Sequence, residues 1–511
     1  DSVFSYVDGA GAGVNDGVDE SWGPRLDIGL MLPQFNSPVV DGIRQATPWN
    51  SHPSNVKDFF QTGYSMNHNL SLLSKSDRSS TRAAISFRDQ KGTVPNTDQK
   101  KYTAQLNNSY KISDKISSDL MSTFTRTESD NLIMQGYDGA NPMNGLIWFG
   151  RQVDMKDLKK NWNQRDEQGN YTYYNWNSNY HMNPFYTMHE SINSLKMNRV
   201  LGRSSLYYQP FDFLKFEGRV GLDYYNVNRF ERNYFNFDHR NGSFSENKNS
   251  TTEFNLDFLA NFNKQYGDFN VLGTLGVNYR DNQFESNTLG ANALAVLGVY
   301  TIANRVGSAD VLMDHSHNRS NSIYGQASIG WRDQLYMDMT ARNDWSSTLT
   351  KSFFYPSMSL SWIPTASFTG IKNDVLSFLK FRFNVAEVGN ATTPYSNGNY
   401  YYAQNNAFKD IAQMYKSMTY ALRDLKPESI FTWETGAEIG LFKDRLHADI
   451  TYYHKNAKDQ LISVNTSNTV GFTRLFLNAG NIETKGGESQ LRGGILRREN
   501  GLNWTATVNF S

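Results

Sequence analysis

Apolar and polar residues alternate one for one along most of this chain. Leu335, Met337, Met339 and Ala341 interleave with Tyr336, Asp338, Thr340 and Arg342. Phe254, Leu256, Phe258, Ala260 and Phe262 interleave with Asn255, Asp257, Asn261 and Asn263, with Leu259 as the one exception. Trp433, Thr435, Ala437, Ile439 and Leu441 alternate in the same way with Glu434, Gly436, Glu438 and Gly440. A period of two sends successive side chains to opposite faces, so each run predicts a strand with one apolar and one polar side. Similar runs begin near Tyr64, Arg82, Tyr102, Lys115, Asn193, Leu214, Asn270, Asn321, Phe354, Leu379, Leu446, Asn481 and Leu502. The pattern predicts about 16 strands, many of ten or more residues.

Strands of soluble proteins average about 5–6 residues, whereas strands that cross a bilayer need about 9–11. The connections point the same way. Short ones fall at 74–79, 113–114, 210–213, 266–268, 332–334, 442–445 and 497–501, with a medium one at 364–375. They alternate with long ones at 89–100, 129–191, 231–250, 286–318, 346–353, 390–429 and 459–472. Short periplasmic turns opposite long extracellular loops are the habit of outer-membrane barrels. The expected fold is therefore all-β: a transmembrane antiparallel β-barrel in the cell outer membrane. Residues 1–62 read as extracellular loop and 63–511 as barrel strands and loops. By strand parity the barrel is incomplete. One strand upstream and about five downstream would bring it to about 22, the size of plugged transporters.

Composition first pulls against this picture and then fits it. The 511 residues carry 50 Lys+Arg against 50 Asp+Glu, and no Cys. A net charge of zero gives no basic surface for nucleic acid. Without Cys there is no disulfide framework and no thiolate metal site. A mean hydropathy of −0.61 suits a barrel in which only every second wall residue meets lipid. The apolar run 293–303 is far short of the roughly 20 residues of a membrane helix. The excess lies in aromatics, 14 % of residues. Trp331, Trp345, Trp362 and Trp433 sit near predicted strand ends, where ring and polar tip suit a membrane interface.

Other aromatics crowd the long loops. Trp162, Tyr173, Tyr174, Trp176 and Tyr180 lie among many Asn in 161–186, and Tyr395, Tyr400 and Tyr401 in 395–402. Rings stack on sugar faces or cover peptide side chains while amides donate and accept, so these eight are the candidate substrate-binding residues. The alternative is that they form small cores within the loops. Signals for catalysis or metal are poor. Asp314-His315-Ser316-His317 lacks further ligands, and Ser54-x-x-Lys57 lacks the companion motifs of the β-lactamases. Gly9, Gly11 and Gly13 follow no strand, which rejects a dinucleotide fingerprint. Asp16, Asp19, Glu20 and Asp27 have no EF-hand spacing for calcium. No cofactor, metal site or catalytic residue is expected.

Several stretches resemble the SusC/RagA-type TonB-dependent transporters of Bacteroidetes. They are Asp19-Glu20-Ser21-Trp22-Gly23-Pro24-Arg25-Leu26-Asp27, Gly63-Tyr64-Ser65-Met66-Asn67-His68-Asn69-Leu70-Ser71, Arg342-Asn343-Asp344-Trp345-Ser346-Ser347-Thr348-Leu349 with Phe354-Tyr355-Pro356-Ser357, Leu425-Lys426-Pro427-Glu428, Trp433-Glu434 and Asn478-Ala479-Gly480-Asn481-Ile482. The resemblance implies a 22-stranded barrel, an N-terminal plug coupled to TonB, and a SusD-like surface lipoprotein as a lid. It implies active import of an oligosaccharide or, in some members, a peptide, and no enzymatic activity. Rival expectations are an outer-membrane barrel enzyme and a soluble glycan-binding or glycan-cleaving β protein.

Overall fold

The computed structural model describes residues 23–137, 139–177, 179–236, 240–403 and 411–511. Among the described residues, sixteen wall strands form one sheet in chain order, each antiparallel to its sequence neighbours. They are β1 (Tyr64–Lys75), β2 (Ser79–Lys91), β3 (Asp98–Lys111), β4 (Ile116–Ser129), β5 (Ile192–Phe211), β6 (Leu214–Asn233), β7 (Ser243–Tyr266) and β8 (Phe269–Ala291). The rest are β9 (Asp310–Trp331), β10 (Leu335–Ser346), β11 (Phe353–Trp362), β12 (Leu376–Asn390), β13 (Glu428–Leu441), β14 (Leu446–Lys458), β15 (Asn481–Leu496) and β16 (Trp504–Phe510).

Register fixes two different faces. One row of directly opposed residues reads Leu70, Ile85, Ala104, Phe124, Val200 and Tyr224 across β1 to β6. Leu70 is 68 % exposed and Leu275, in β8, 61 %. Exposure on this scale is unfavourable in water, at about 25 cal/mol per Å² of apolar surface, and carries no such penalty in contact with lipid. The opposite face carries ion pairs and amides. This is the lumen side.

Aromatics mark two belts on the outward face. Phe269 meets Trp331 at 6.5 Å and Trp362 meets Phe381 at 6.2 Å, all beside the short turns. Toward the long loops, Trp433 packs on Tyr452 at 5.5 Å, and Trp345 closes the outward row of β10. The four expected tryptophans thus divide between the belts, Trp331 and Trp362 periplasmic, Trp345 and Trp433 extracellular.

The strands outrun the alternation. β5 to β9 are 20, 20, 24, 23 and 22 residues long, well beyond a bilayer. The expected loops 231–250 and 286–318 shrink to 234–242 and 292–309, and 89–100 to 92–97. Above the membrane both faces are wet, so the period-two signal disappears while the backbone ladder continues. Residues 31–59, expected as loop, hold a hairpin pairing Met31–Pro33 with Ala46–Pro48 and a helix at Asn55–Phe59. At the periplasmic end the turns are tight enough to force left-handed backbone on non-glycine residues. Arg332 and Asp333 have φ of 51° and 55°, and Phe442, Lys443 and Asp444 lie at 54–60°. Primed hairpin turns demand this conformation. Arg332 is further held by a 2.7 Å ion pair to Asp268 of the adjacent turn.

Candidate functional site

The site is the extracellular rim, built from two loop assemblies. The first fills 131–191. Its helices are short and start on clear signals. Asn141, Asp154 and Asn183 cap Pro142–Leu146, Met155–Asn161 and Pro184–Glu190, each side chain accepting from a backbone N–H two residues on. Proline at the first helical position adds a preset φ. The helices enclose a core of Phe59, Leu146, Val153, Met155, Leu158 and Phe185.

Buried asparagines tie this core to its surroundings. Asn183 donates to the carbonyls of Leu158 at 2.9 Å and Tyr174 at 3.0 Å. Asn55 donates to Gly150 and Val153, and Asn131 to Asn96 and Met188. An amide can satisfy two backbone groups where no ladder reaches, and leaving such groups unpaired costs about 1–3 kcal/mol each. This accounts for much of the asparagine in the loop.

The candidate aromatics separate here. Trp162 stacks on His189 with ring centroids 4.4 Å apart. Tyr174 donates its hydroxyl to Asp157. Trp176 lies 6.0 Å from Phe149 and 5.3 Å from His181. Tyr173 packs on Phe235 at 4.5 Å and Tyr186 at 5.7 Å. Trp162, Tyr174 and Trp176 work within the loop, and Tyr173 also joins it to Phe235 of the 234–242 connection. Tyr180, 51 % exposed, presents its ring outward. Burial and the Asp157 carboxylate hold the Tyr174 phenol protonated far above the ordinary range, and burial with Glu190 does the same for Tyr171.

Burial lowers the His189 pKa below its ordinary 6.5, against the pull of Glu190. A histidine buried neutral binds a proton more readily once its loop opens. The loop is therefore most stable above pH 6.5 and loses stability as pH falls through 6.5 toward the lowered value. Hydrogen exchange over 155–190 is expected to be faster at pH 5.5 than at 7.5, after correction for intrinsic rates. His189→Phe should remove the difference, and a difference that persists in the variant would rule His189 out as its source.

The second assembly joins the 391–427 and 459–480 loops. Thr419–Ala421 pairs in parallel with Arg474–Asn478, which pairs antiparallel with Leu461–Asn465. Tyr420 stacks on Phe472 at 5.0 Å. Asn478 accepts from the Lys426 N–H at 2.7 Å and donates to the carbonyls of Lys426 and Asp459 at 2.8 Å. From this base projects a hairpin, Tyr401–Ala403 against Met414–Lys416. Tyr400 and Tyr401 are 42 % and 67 % exposed, and Met414 68 %. Tyr395, 47 % exposed at φ 63°, meets His315. Sequence reading missed Ile411, Met414, Tyr415 and Met418, all exposed on this projection. Their apolar character inside a long polar loop was the available signal.

Beneath the rim, the lumen wall is a ladder of charge pairs. Arg342 bonds Asp344 at 2.7 Å and Ser322 at 2.7 Å, and Asp344 also accepts from Tyr355. Arg280 meets Glu253 at 2.6 Å, and Arg382 meets both Asp449 and Thr451. Such a surface offers many hydrogen-bonding groups. The sequence's other candidates are engaged elsewhere. His317 bonds Asp281 at 3.0 Å, Ser54 bonds Asp58 at 2.8 Å, and Asp27 accepts from the Ser51 N–H. Gly9, Gly11, Gly13, Asp16, Asp19 and Glu20 lie outside the described residues.

Residues 149–511 match the family model described as "TonB dependent receptor-like, beta-barrel". The chain belongs to this family of TonB-dependent receptor barrels. It is similar to TonB-dependent receptors P26 and P3 of Formosa agariphila, 22 % identical in both cases over 87 % and 89 % of this chain. Those matches cover 45 % and 46 % of the relatives, so the chain spans about half their length. In fold it resembles the structure of the RagAB peptide transporter, with a TM-score of 0.75 at 17 % identity over 94 % of this chain and 52 % of that one. The outer-membrane transporter YddB of Escherichia coli gives a TM-score of 0.53 at 13 % identity, over 86 % of this chain and 53 % of that one.

As a TonB-dependent receptor barrel the protein resides in an outer membrane, and its outward rows face lipid. Its family-like motifs acquire structural jobs. Arg342, Asp344 and Tyr355, with Ser322, lock three adjacent strands across the lumen face. Leu425, 3 % exposed, and Asn478 fasten the two rim loops together.

Proposed function

We propose that this chain is the barrel wall and rim of a transporter that imports an oligosaccharide by TonB-driven uptake, beneath a SusD-like lipoprotein lid. Energy would reach it through a plug domain pulled by TonB, and the wall itself would break no bonds. The observation that carries the reading is the rim. A cross-braced pair of loops displays Tyr401, Met414 and Tyr415 to solvent, 51–68 % exposed, apolar groups of the kind that anchor interfaces. Below it the lumen is lined with amides, hydroxyls and charge pairs suited to a hydroxyl-rich solute. Tyr180, Tyr395, Tyr400 and Tyr401 are the rings best placed to touch substrate, with Trp162, Tyr173, Tyr174 and Trp176 setting the loop that presents Tyr180.

Peptide import is the second reading, favoured by the fold neighbour described as a peptide transporter. Titration calorimetry of the full-length transporter with its lid, against oligosaccharides and against peptides of similar size, separates the two. Heat with peptides alone would reject the glycan reading. Interface anchors cost about 2 kcal/mol or more each when removed. Changing Tyr401, Met414 and Tyr415 together to Ser is therefore expected to weaken lid capture by over about a hundredfold. Unchanged capture would place the lid elsewhere.

A further inference from the structure

The outward face of β1 to β5 holds an arrangement that nutrient import does not use. Its register stacks three rows in order of height. The lowest contains Leu70, Ile85, Ala104, Phe124 and Val200. Above it run His68, Phe87, Tyr102, Arg126 and Asn198. The highest reads Met66, Asp89, Lys100, Glu128 and Lys196. Apolar, aromatic and charged layers follow one another as hydrocarbon gives way to headgroups.

The lowest row is not flat. Ala104 is the short side chain between Ile85 and Phe124, and the wall sinks there into two contiguous depressions of about 600 and 370 Å³. Leu70, Ile85, Ala104 and Phe124 line both. His68, Phe87 and Tyr102 bound the upper end, with His68 parallel to Phe87 and Phe87 5.0 Å from Tyr102.

Together the upper two rows carry Lys100, Lys196 and Arg126 against Asp89, which lies opposite Lys100, and Glu128, an excess of one positive charge. Glu128 lies opposite both Lys100 and Lys196 in the register, the placement of a cross-strand pair. Its carboxylate instead accepts from Arg126 at 2.9 and 3.0 Å. Among the described residues, neither Lys100 nor Lys196 forms an ion pair. Two unpaired ammonium groups and a guanidinium thus stand over an apolar groove, at the extracellular end of the lipid-facing wall.

We propose that this face is a specific site for a phosphorylated glycolipid of the outer leaflet. One acyl chain lies in the groove over Ala104. The headgroup phosphate is held by Lys100, Arg126 and Lys196, cations being worth about a factor of five each near an anionic lipid surface. The cations lie above the groove and on the extracellular side, which selects the outer leaflet as the source. Arg126 in the middle keeps its Nη1 donors for the phosphate while Nε and Nη2 stay on Glu128.

The test uses the full-length receptor, plug included, extracted in mild detergent and examined by native mass spectrometry with lipid A as the probe. Wild type is expected to retain one lipid A through detergent exchange and to release its dephosphorylated form. Lys100→Gln, Arg126→Gln and Lys196→Gln combined should lower retention about a hundredfold, and Ala104→Phe, which fills the groove, at least tenfold. Heat-modifiable migration checks that each variant is folded. If the triple variant fails to assemble, the comparison of phosphorylated with dephosphorylated lipid A on wild type still decides. Equal retention of the two lipids, or full retention by a folded triple variant, overturns the site. So does disulfide capture of a second receptor copy through Ala104→Cys with lipid retention unaffected by Ala104→Phe, since the groove would then seat protein.

Discussion

Phe185→Ala is expected to disorder the 131–191 loop while leaving the barrel wall intact. Phe185 is 2 % exposed and lies 5.3 Å from Phe59, so one ring joins the loop to the helix at Asn55–Phe59. It also sits at the first turn of Pro184–Glu190, where its N–H is held by the Asn183 cap at 3.0 Å. Removing a buried phenylalanine costs about 3–5 kcal/mol. A local unit of this size opens with a free energy below that of the whole domain, so the loss is enough to open it. Hydrogen exchange over 142–190 should rise toward unprotected rates, and substrate binding should fall by at least tenfold. Heat-modifiable migration should not change. Retained protection would mean that the wall holds the loop and that its core does not.

That loop marks where sequence reading ran short. The wall was legible because every membrane-crossing strand must keep one face apolar, and Leu335, Met337 and Met339 record that demand directly. The alternation of short and long connections gave the direction of each strand. The tall upper parts of β7, β8 and β9 were not legible. Glu246, Lys248, Asp281 and Gln283 are polar on outward positions, and a ladder wet on both sides leaves no period. The loop core was hidden for another reason. Its helices are five to seven residues long, too short to display a period of 3.6. Their starts were written all the same in Asn141-Pro142 and Asn183-Pro184, a cap followed by a proline. The loop aromatics were noticed, but ring content alone does not separate a ring that binds from one that packs. Trp162 and Tyr174 pack because His189 and Asp157 reach them from helices that sequence reading had not drawn.

The lipid-facing assignment can be tested by depth on a single strand. On β10 the outward positions are Leu335, Met337, Met339, Ala341, Asn343 and Trp345, and the inward ones include Asp338, Thr340 and Arg342. Leu335 lies in the periplasmic belt, opposite Trp331 and Trp362, and Trp345 in the extracellular one. Met339 and Ala341 are the two outward residues nearest the midpoint, and Met339, opposed by Ala327 and Met358, probes the bilayer centre. Arginine at mid-bilayer on a barrel costs about 2–4 kcal/mol, falling to about 0–1 near the interfaces. Met339→Arg should show the full cost, Met337→Arg and Asn343→Arg, each one outward step from a belt, an intermediate one, and Leu335→Arg almost none. Thr340→Arg is the control for parity. Its side chain points to the lumen, where Thr340 meets Ser357 at 2.6 Å, and a cation there finds water and carboxylates. Urea unfolding of the full-length receptor in lipid vesicles reads each cost. If Thr340→Arg destabilised the barrel more than Met339→Arg, the two faces of the sheet would have to be exchanged, and the lumen ladder of Arg342, Asp344 and Tyr355 with them.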